Sequence, residues 1–268
     1  MPRGYAGAME RTWQGNEDPL AEAAARLADA RRIVVFTGAG VSTDSGIPDF
    51  RSPDGIWRRY DPRQFTYQRY LSDPEARRQS WRLRREFQSM QPRPNAAHLA
   101  CTRLAEAGRL QGVVTQNIDG LHGDAGLDAG LICELHGNGR WVACLSCGDR
   151  MPMAAAVARV DAGEDDPACQ RCGGILKATT VSFGQPLPQT DWARAEAMTA
   201  ACDAFLAVGS SLVVHPAARL PELASDKGTT LVIINREPTP LDPIADLTLQ
   251  GECGVLLPAL VDALLEAA

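Results

Sequence analysis

Four of the eight cysteines in this 268-residue sequence form two C-x-x-C pairs, the spacing of paired metal ligands. Cys144 and Cys147 make the first pair, Cys169 and Cys172 make the second, and a glycine follows each pair. Four thiolates leave a zinc ion no open coordination position, so the pattern predicts structural rather than catalytic zinc. The alternative, two redox-active motifs, is less favoured because neither pair stands at a strand-to-helix junction.

Histidine is scarce, so each of the four can be weighed by its context. A lone histidine is more often a capping or core imidazole than a catalytic group, and we apply that interpretation to His98, His122 and His215. His136 differs because the segment Glu-Leu-His-Gly-Asn ends an apolar run just before the cysteine pairs. A general base is well placed at such a boundary between two parts of a fold.

A turn of small residues follows the first apolar run, residues 33–36. Gly38 and Gly40 begin it, and Thr43 takes the place where a dinucleotide-binding fingerprint has its third glycine. Such a turn allows the backbone to approach a pyrophosphate at a helix N-terminus. A tight turn without a ligand would use the same glycines, so the pattern alone leaves both interpretations open.

Apolar runs and helical periodicity alternate along the chain and predict an α/β fold with a doubly wound parallel sheet. Strands are predicted over residues 33–36, 112–115, 204–208 and 231–234, and helices over residues 19–32, 96–107, 190–200 and 256–267. Residues 52–94 and 140–177 interrupt the alternation, and we interpret them as insertions that build a smaller second domain.

Polar side chains follow the predicted strand 112–115 at its carboxyl end, where open α/β sheets bind ligands. The amides of Gln116 and Asn117 and the carboxylate of Asp119 could recognise a ribose or a carboxamide. Ordinary Asx-turn chemistry explains the same residues equally well, so this motif also leaves two interpretations open.

The composition excludes several classes of protein. With 27 Lys+Arg against 33 Asp+Glu, the formal charge is -6, so no global positive field attracts nucleic acid or an anionic membrane. The apolar runs are far shorter than the roughly 20 residues of a membrane span, and residues 1–18 lack the apolar core of a secretory signal. We therefore expect a cytoplasmic protein with no direct nucleic-acid or membrane partner, and a flexible N-terminus over residues 1–18.

Taken together and in this order, the motifs resemble those of the sirtuins, the NAD-dependent protein-lysine deacylases, from about residue 19 to 265. They are Gly-Ala-Gly-Val-Ser at 38–42, Gly-Ile-Pro-Asp-Phe-Arg at 46–51, Thr-Gln-Asn-Ile-Asp at 115–119, His-Gly at 136–137, the four paired cysteines, Gly-Ser-Ser-Leu at 209–212, and Asn235. The resemblance implies a Rossmann-like NAD-binding domain and a small domain. The large domain is expected over residues 19–50, 95–138 and 178–268, and the small one combines a helical insert, 51–94, with a zinc module, 139–177.

The resemblance also implies NAD as a co-substrate in the cleft between the domains, together with one structural zinc ion. Catalytic roles would fall to His136 and Asn117. The residues implied to contact NAD are Gly38, Ala39, Gly40, Thr43, Asp49, Phe50, Arg51, Gln116, Asn117, Asp119, Gly209, Ser210, Ser211, Asn235 and Cys253.

In the chemistry that the resemblance implies, the acyl-lysine oxygen attacks the nicotinamide ribose and nicotinamide leaves. His136 then acts as general base on a ribose hydroxyl, and the products are free lysine, nicotinamide and an O-acyl-ADP-ribose. The acyl-lysine protein or peptide would enter as an extended strand that contacts Val181, Phe183, Gly184 and Val213. Two alternatives are ADP-ribosyl transfer to protein by the same scaffold and a non-catalytic module that binds NAD or ADP-ribose.

Two further expectations concern residues outside these motifs. The arginine-rich stretch 77–85 is interpreted as a solvated helix face in preference to a cationic clamp for an acyl group. The isolated Cys101, Cys133 and Cys202 are expected to be buried small hydrophobic side chains.

Overall fold

The structure, a computed structural model, describes residues 18–50 and 55–266 of the chain. In chain order its strands are β1 (Ile33–Thr37), β2 (Leu110–Thr115), β3 (Ile132–Glu134), β4 (Gly137–Cys144), β5 (Arg150–Pro152), β6 (Leu176–Thr180), β7 (Ala204–Val208), β8 (Thr230–Asn235) and β9 (Leu247–Gln250). Its α-helices are α1 (Pro19–Leu27), α2 (Tyr67–Ser72), α3 (Pro74–Met90), α4 (Ala96–Glu106), α5 (Leu121–Asp124), α6 (Met153–Asp161), α7 (Gln189–Ala201), α8 (Arg219–Asp226) and α9 (Cys253–Glu266). Short 3₁₀ helices occupy Ala39–Ser45, Ile56–Arg58, Pro62–Phe65, Ala129–Leu131 and Asp242–Ile244.

A six-stranded sheet has the strand order β3-β2-β1-β7-β8-β9, and every neighbouring pair in it is parallel. The chain moves outward from β1 to β3 on one side and from β7 to β9 on the other, so the order reverses between β1 and β7. Ligand crevices of open parallel sheets form at the carboxyl ends of the strands at such a reversal. The predicted doubly wound α/β fold is confirmed.

Both faces of this sheet are covered by helices, which explains why its central strands are continuous apolar runs. Side chains alternate between the two faces along a strand. In β1, Ile33 and Val35 pack in a core with residues of α1, α4 and α9, whereas Val34 and Phe36 pack in a second core with residues of α7 and α8. The strongest strand predictions therefore fell on the centre of the sheet.

The first helix is shorter than the predicted 19–32, because α1 ends at Leu27. Beyond it the backbone N–H groups of Arg31 and Arg32 donate to the Asp203 carboxylate, at 3.1 and 2.9 Å. This side chain lies just before β7 and holds the segment that enters β1. A contact so distant in sequence cannot be seen in the local helical pattern.

A second, antiparallel sheet has the strand order β5-β4-β6 and packs against α6. Its core includes Trp81 of α3, which is 1% exposed. The helical insert and the cysteine-bearing segment therefore share one core.

This packing corrects the interpretation of residues 77–85 as a solvated helix face. That interpretation is wrong for Trp81 and for Arg84, whose Nη2 donates to Thr180 Oγ1 of β6 at 3.0 Å. Other arginines of the same helix pair with acidic residues of the cysteine-bearing segment. These ion pairs are Arg77 with Asp166, Arg78 with Asp165 and Arg85 with Asp161.

Several sequence expectations can be compared with these coordinates. Cys101, Cys133 and Cys202 are buried, as predicted. The domain boundaries stay a prediction, and β6 runs across the one placed between residues 177 and 178. The expectation of a flexible N-terminus falls on residues that, except for residue 18, lie outside the described part of the chain. None of the helices in residues 18–50 and 55–266 has the length and apolarity that a bilayer crossing requires.

Candidate active site

A cleft of about 810 Å³ opens at the carboxyl end of the parallel sheet, at the reversal between β1 and β7. It brings together most of the predicted site residues. Those that line it are Gly38, Ala39, Gly40, Thr43, Asp49, Phe50, Gln116, Asn117, Asp119, His136, Val181, Phe183, Gly184, Gly209, Ser210, Ser211, Asn235 and Cys253. Val213 is not among the lining residues and is 46% exposed. Arg51 lies outside the described residues.

The turns after β1 and β7 contact each other through glycines. Gly40 N donates to Gly209 O at 2.9 Å, and a Cβ atom on Gly38 would lie 2.7 Å from that same oxygen. Gly209 has a φ of +62°, and a Cβ there would lie 2.6 Å from Val41 N. The glycines therefore have a packing role, and the same turns form one wall of the cleft.

Polar side chains after β2 join this wall. Asn117, which is 9% exposed, donates through Nδ2 to Gly38 O at 3.0 Å and to Ser42 Oγ at 3.1 Å. Ser42 Oγ in turn donates to Asp119 Oδ2 at 2.7 Å. Gln116 Nε2 donates to Ser210 Oγ at 2.9 Å and links the turn after β2 to the one after β7.

Next to the cleft-lining Asn117 lies a buried polar network that the sequence reasoning missed. Thr37 and Thr115 are the last residues of β1 and β2, and their hydroxyls are 2.8 Å apart. Thr115 Oγ1 accepts the Asn117 backbone N–H at 3.0 Å, and Thr37 Oγ1 lies 3.1 Å from His122 Nε2. A threonine at the end of each of two buried strands is the sequence signal that could have revealed this network.

The other buried histidines are structural, as the sequence interpretation expected. His98 belongs to the capping box of α4 with Asn95. Its ring centroid lies 4.9 Å from that of His122, and burial lowers the pKa of His122 to about 3. His122 therefore stays neutral and serves as a fixed hydrogen-bonding group under the cleft.

His136 has a defined tautomer in the cleft. Its Nδ1 lies 3.0 Å from Gln116 O, and because a carbonyl oxygen only accepts, Nδ1 carries the proton and Nε2 keeps its lone pair. Burial lowers the pKa of His136, although the bond to Gln116 acts in the opposite direction. The ring is therefore neutral near pH 7 and can accept a proton at Nε2.

The four paired cysteines converge in the antiparallel sheet. None of the four forms a disulfide, and their Sγ atoms lie within 4.8 Å of one another. Two of the Sγ···Sγ distances, Cys144 to Cys172 and Cys147 to Cys169, are 3.5 and 3.7 Å. A tetrahedron with Zn–S bonds of roughly 2.3 Å has edges of about 3.8 Å, so the cluster fits one zinc ion with no open position.

The parallel sheet, its cleft at the strand reversal and the closed thiolate cluster define a Rossmann-like protein with a structural zinc module. Residues 38–216 match the model of the Sir2 family. The chain belongs to the Sir2 family, as its motifs predicted.

Relatives align with most of the chain. NAD-dependent protein deacetylase 2 of Streptomyces coelicolor is 49% identical over 235 residues, which cover 87% of this chain and 97% of that protein. NAD-dependent protein deacetylase 1 of Bradyrhizobium diazoefficiens is 44% identical over 233 residues, covering 86% and 91%. A solved Sir2 structure with a deacetylated p53 peptide and 3'-O-acetyl ADP-ribose has a TM-score of 0.85 at 35% identity, covering 91% and 97%.

Proposed function

We propose that this protein is an NAD-dependent protein-lysine deacylase that cleaves NAD to nicotinamide and transfers the acyl group of lysine to ADP-ribose. The observation that carries the proposal is the neutral His136, with its basic Nε2, in a cleft that the glycine turns after β1 and β7 also line. The names of the two relatives and the peptide and O-acetyl-ADP-ribose of the solved Sir2 structure support the same reaction.

The cleft fits NAD in volume and in the groups that it presents. Its volume is within the roughly 300–1,000 Å³ of small-molecule sites. We assign the phosphates to the turn at Gly38 and Gly40, beside Thr43, whose Oγ1 donates to Gly40 O at 2.9 Å. The adenosine end is assigned to Gly209, Ser210, Ser211, Asn235 and Cys253, and the nicotinamide ribose to Gln116, Asn117 and Asp119. Bound there, NAD supplies an anomeric carbon with nicotinamide as its leaving group.

His136 is the proposed general base. Nε2 takes the proton of a ribose hydroxyl, which frees the hydroxyl oxygen to bond to the acyl carbon. The bond from that carbon to the lysine nitrogen then breaks as water adds to the carbon, so that lysine leaves as the free amine. The bond from Nδ1–H to Gln116 O fixes the ring and stabilises the imidazolium that forms. Asn117 is proposed to orient the ribose, since both hydrogens of its amide are engaged by the protein and Oδ1 remains for a ligand.

The acyl-lysine peptide is proposed to lie along the segment after β6 and the one after β7. Val181 N donates to His136 O at 2.8 Å, so this segment is tied directly to the general base. Phe183 is 44% exposed at the mouth of the cleft, next to Gly184. On the opposite side Val213 forms no backbone hydrogen bond with any described residue, so its N–H and C=O remain for an added strand.

Incubation with NAD and a panel of acyl-lysine peptides tests the function. We expect nicotinamide and deacylated peptide in equal amounts from the wild type, and about 10²–10⁴-fold slower formation of deacylated peptide by His136→Ala, because the base acts after nicotinamide has left. If label from the adenylate part of NAD becomes covalently attached to protein while acyl-lysine stays intact, the protein is an ADP-ribosyltransferase instead. Formation of deacylated peptide no faster than that of His136→Ala on every peptide would show that the protein is not a deacylase.

A further inference from the structure

One residue of the turn after β7 has a backbone conformation that its side chain disfavours. Leu212 has a φ of +54°, in the left-handed region. Gln91 is the other non-glycine residue with a positive φ in the part of the chain that the structure describes. Residues with a side chain rarely occupy this region, and strained backbone of this kind concentrates at ligand-binding segments. The conformation of Leu212 therefore requires both a support and a reason.

Packing and one hydrogen bond supply the support. The Leu212 side chain is 3% exposed and lies in the core that α7 and α8 form on one face of the parallel sheet. Its backbone N–H donates to Ser210 Oγ at 3.3 Å, and the same oxygen accepts a hydrogen bond from Gln116 Nε2 at 2.9 Å. Because the core holds the side chain and Ser210 holds the amide, the backbone cannot relax to a negative φ without losing one of the two.

The residue after Leu212 shows what this conformation achieves. Val213 is 46% exposed, and its N–H and C=O form no backbone hydrogen bond with any described residue. Val214 already returns to the protein, since its C=O accepts the Ala218 N–H at 2.9 Å. The reversal at Leu212 therefore turns a single residue outward, between Ser211 and Val214, which both line the cleft.

The segment after β6, on the other side of the proposed peptide site, is supported differently. Phe183 forms a parallel β-bridge with Thr66, and its C=O accepts the Tyr67 N–H at 2.9 Å. This segment is therefore anchored by neighbouring backbone, whereas residues 211–213 belong to no strand or β-bridge of the described chain. The conformation of residues 211–213 depends on Leu212 instead.

We propose that Leu212 is a positioning residue for the acyl-lysine peptide. Its left-handed backbone, fixed by the core and by Ser210, presents the N–H and C=O of Val213 to the extended peptide. A rigid edge loses less conformational entropy on binding than a mobile one, so the packing that maintains the strain favours peptide affinity. The inference rests on the proposed function, and specifically on the peptide position assigned there.

The first experiment measures the Kd of a fluorescent acetyl-lysine peptide by anisotropy, without NAD, for the zinc-loaded wild type and three variants. Leu212→Ile keeps the side-chain volume, but a β-branched residue strongly disfavours a positive φ, so we expect Kd to rise roughly tenfold or more. Leu212→Met is unbranched and should keep Kd within about twofold of the wild type. Leu220→Ile is the matched control, because Leu220 is buried in the same core but lies within α8, and it should leave Kd unchanged. The Kd of ADP-ribose, measured by calorimetry, should stay at the wild-type value in all three variants.

A second pair of variants separates backbone conformation from burial and remains informative if Leu212→Ile does not fold. Leu212→Gly and Leu212→Ala both remove the side chain, but only glycine adopts a positive φ without a steric cost. We therefore expect Leu212→Gly to have a higher Tm than Leu212→Ala and to bind the peptide more tightly. This is the reverse of the order that the two residues have in regular secondary structure.

Equal weakening of peptide binding by Leu212→Ile and Leu220→Ile would overturn the proposal, since the effect would then come from core packing. A wild-type Kd in Leu212→Ile, or Gly and Ala variants that agree in both Tm and Kd, would overturn it as well. None of these measurements needs turnover. A protein that binds the peptide but forms no deacylated product therefore fails the proposed function while the role of Leu212 is still tested, and a wild type that binds no peptide contradicts both.

Discussion

The parallel sheet and the zinc module have different sources of stability. The sheet has two cores, of 24 and 17 buried residues, one on each face. The module shares a single core of 10 buried residues with α3, and two of those residues are cysteines of the metal cluster. A core so small needs a metal or another cross-link to be stable. The sheet can therefore position chemical groups by packing alone, whereas the module depends on its metal.

Zinc removal should produce the largest difference between the two regions. Chelation or Cys147→Ser removes a contribution of about 10–16 kcal/mol at neutral pH, so we expect the module to unfold and activity to disappear while the parallel sheet remains folded. Hydrogen exchange resolved by segment measures this, with Cys101→Ser as the control for loss of a thiol outside the cluster. Full activity in metal-free protein would contradict a structural role for zinc.

His136→Ala should have the converse effect, because it removes chemistry from the cleft without disturbing either core. Loss of a general base lowers kcat/KM by about 10²–10⁴-fold. The Tm and the zinc content should stay at the wild-type values. A fall in Tm as large as that of Cys147→Ser would mean that His136 is mainly a structural residue.

Acidic pH should inactivate the cleft before it affects the module. His136 must be neutral to accept a proton, and burial holds its pKa below the ordinary histidine value of 6.5. The acid limb of kcat/KM should therefore have its midpoint below pH 6.5, with activity falling about tenfold per pH unit beyond it. A midpoint above 6.5 would show that another group is the base.

The buried threonine network should couple the sheet to the cleft more weakly. Thr115→Val leaves the Thr37 hydroxyl and the Asn117 N–H without an acceptor, which costs about 1–3 kcal/mol in the free energy of unfolding. We also expect a higher KM for NAD, since Asn117 loses one of the hydrogen bonds that fix its position. Thr248→Val, on the exposed side of β9, is the matched control and should change neither quantity.

The ion pair that joins α3 to the module should have the smallest effect. Arg77 Nε and Asp166 Oδ2 are 2.8 Å apart, and the side chains are only 13% and 22% exposed. A double-mutant cycle with Arg77→Met and Asp166→Asn should give a coupling of about 1 kcal/mol in the free energy of unfolding. The exposed pair of Arg82 and Glu75 should give a coupling close to zero. Equal couplings for the two pairs would show that partial burial does not strengthen the ion pair of Arg77 and Asp166.

The sequence predicted the buried centre of the parallel sheet better than its edges. Residues 33–36, 204–208 and 231–234 lie in strands covered on both faces, so their apolar runs are unbroken and easy to identify. The edge strands β3 and β9 are short and only partly buried, and they gave no such signal. The carbonyl oxygens of Leu27 and Ala28 at the end of α1 accept hydrogen bonds from Arg109, which is 82 residues beyond the last residue of that helix.

In the candidate site, too, a local motif could be predicted from the sequence and long-range packing could not. Spacing alone identified the cysteine cluster, because all four ligands come from two short motifs. The burial of Trp81 and the contact of Arg84 with β6 could not be predicted, since both exist only once the module packs on α3. The positions of the remaining NAD-binding and peptide-binding residues rest on the family resemblance, and the cytoplasmic location and absence of nucleic-acid and membrane partners stay predictions.

The central claim, acyl transfer to ADP-ribose in the cleft, is tested most directly by identifying the first acylated product. Mass spectrometry of early time points with NAD and an acetyl-lysine peptide should show one O-acetyl-ADP-ribose for each nicotinamide released. Free acetate as the first product, with no O-acetyl-ADP-ribose at any time, would contradict this account.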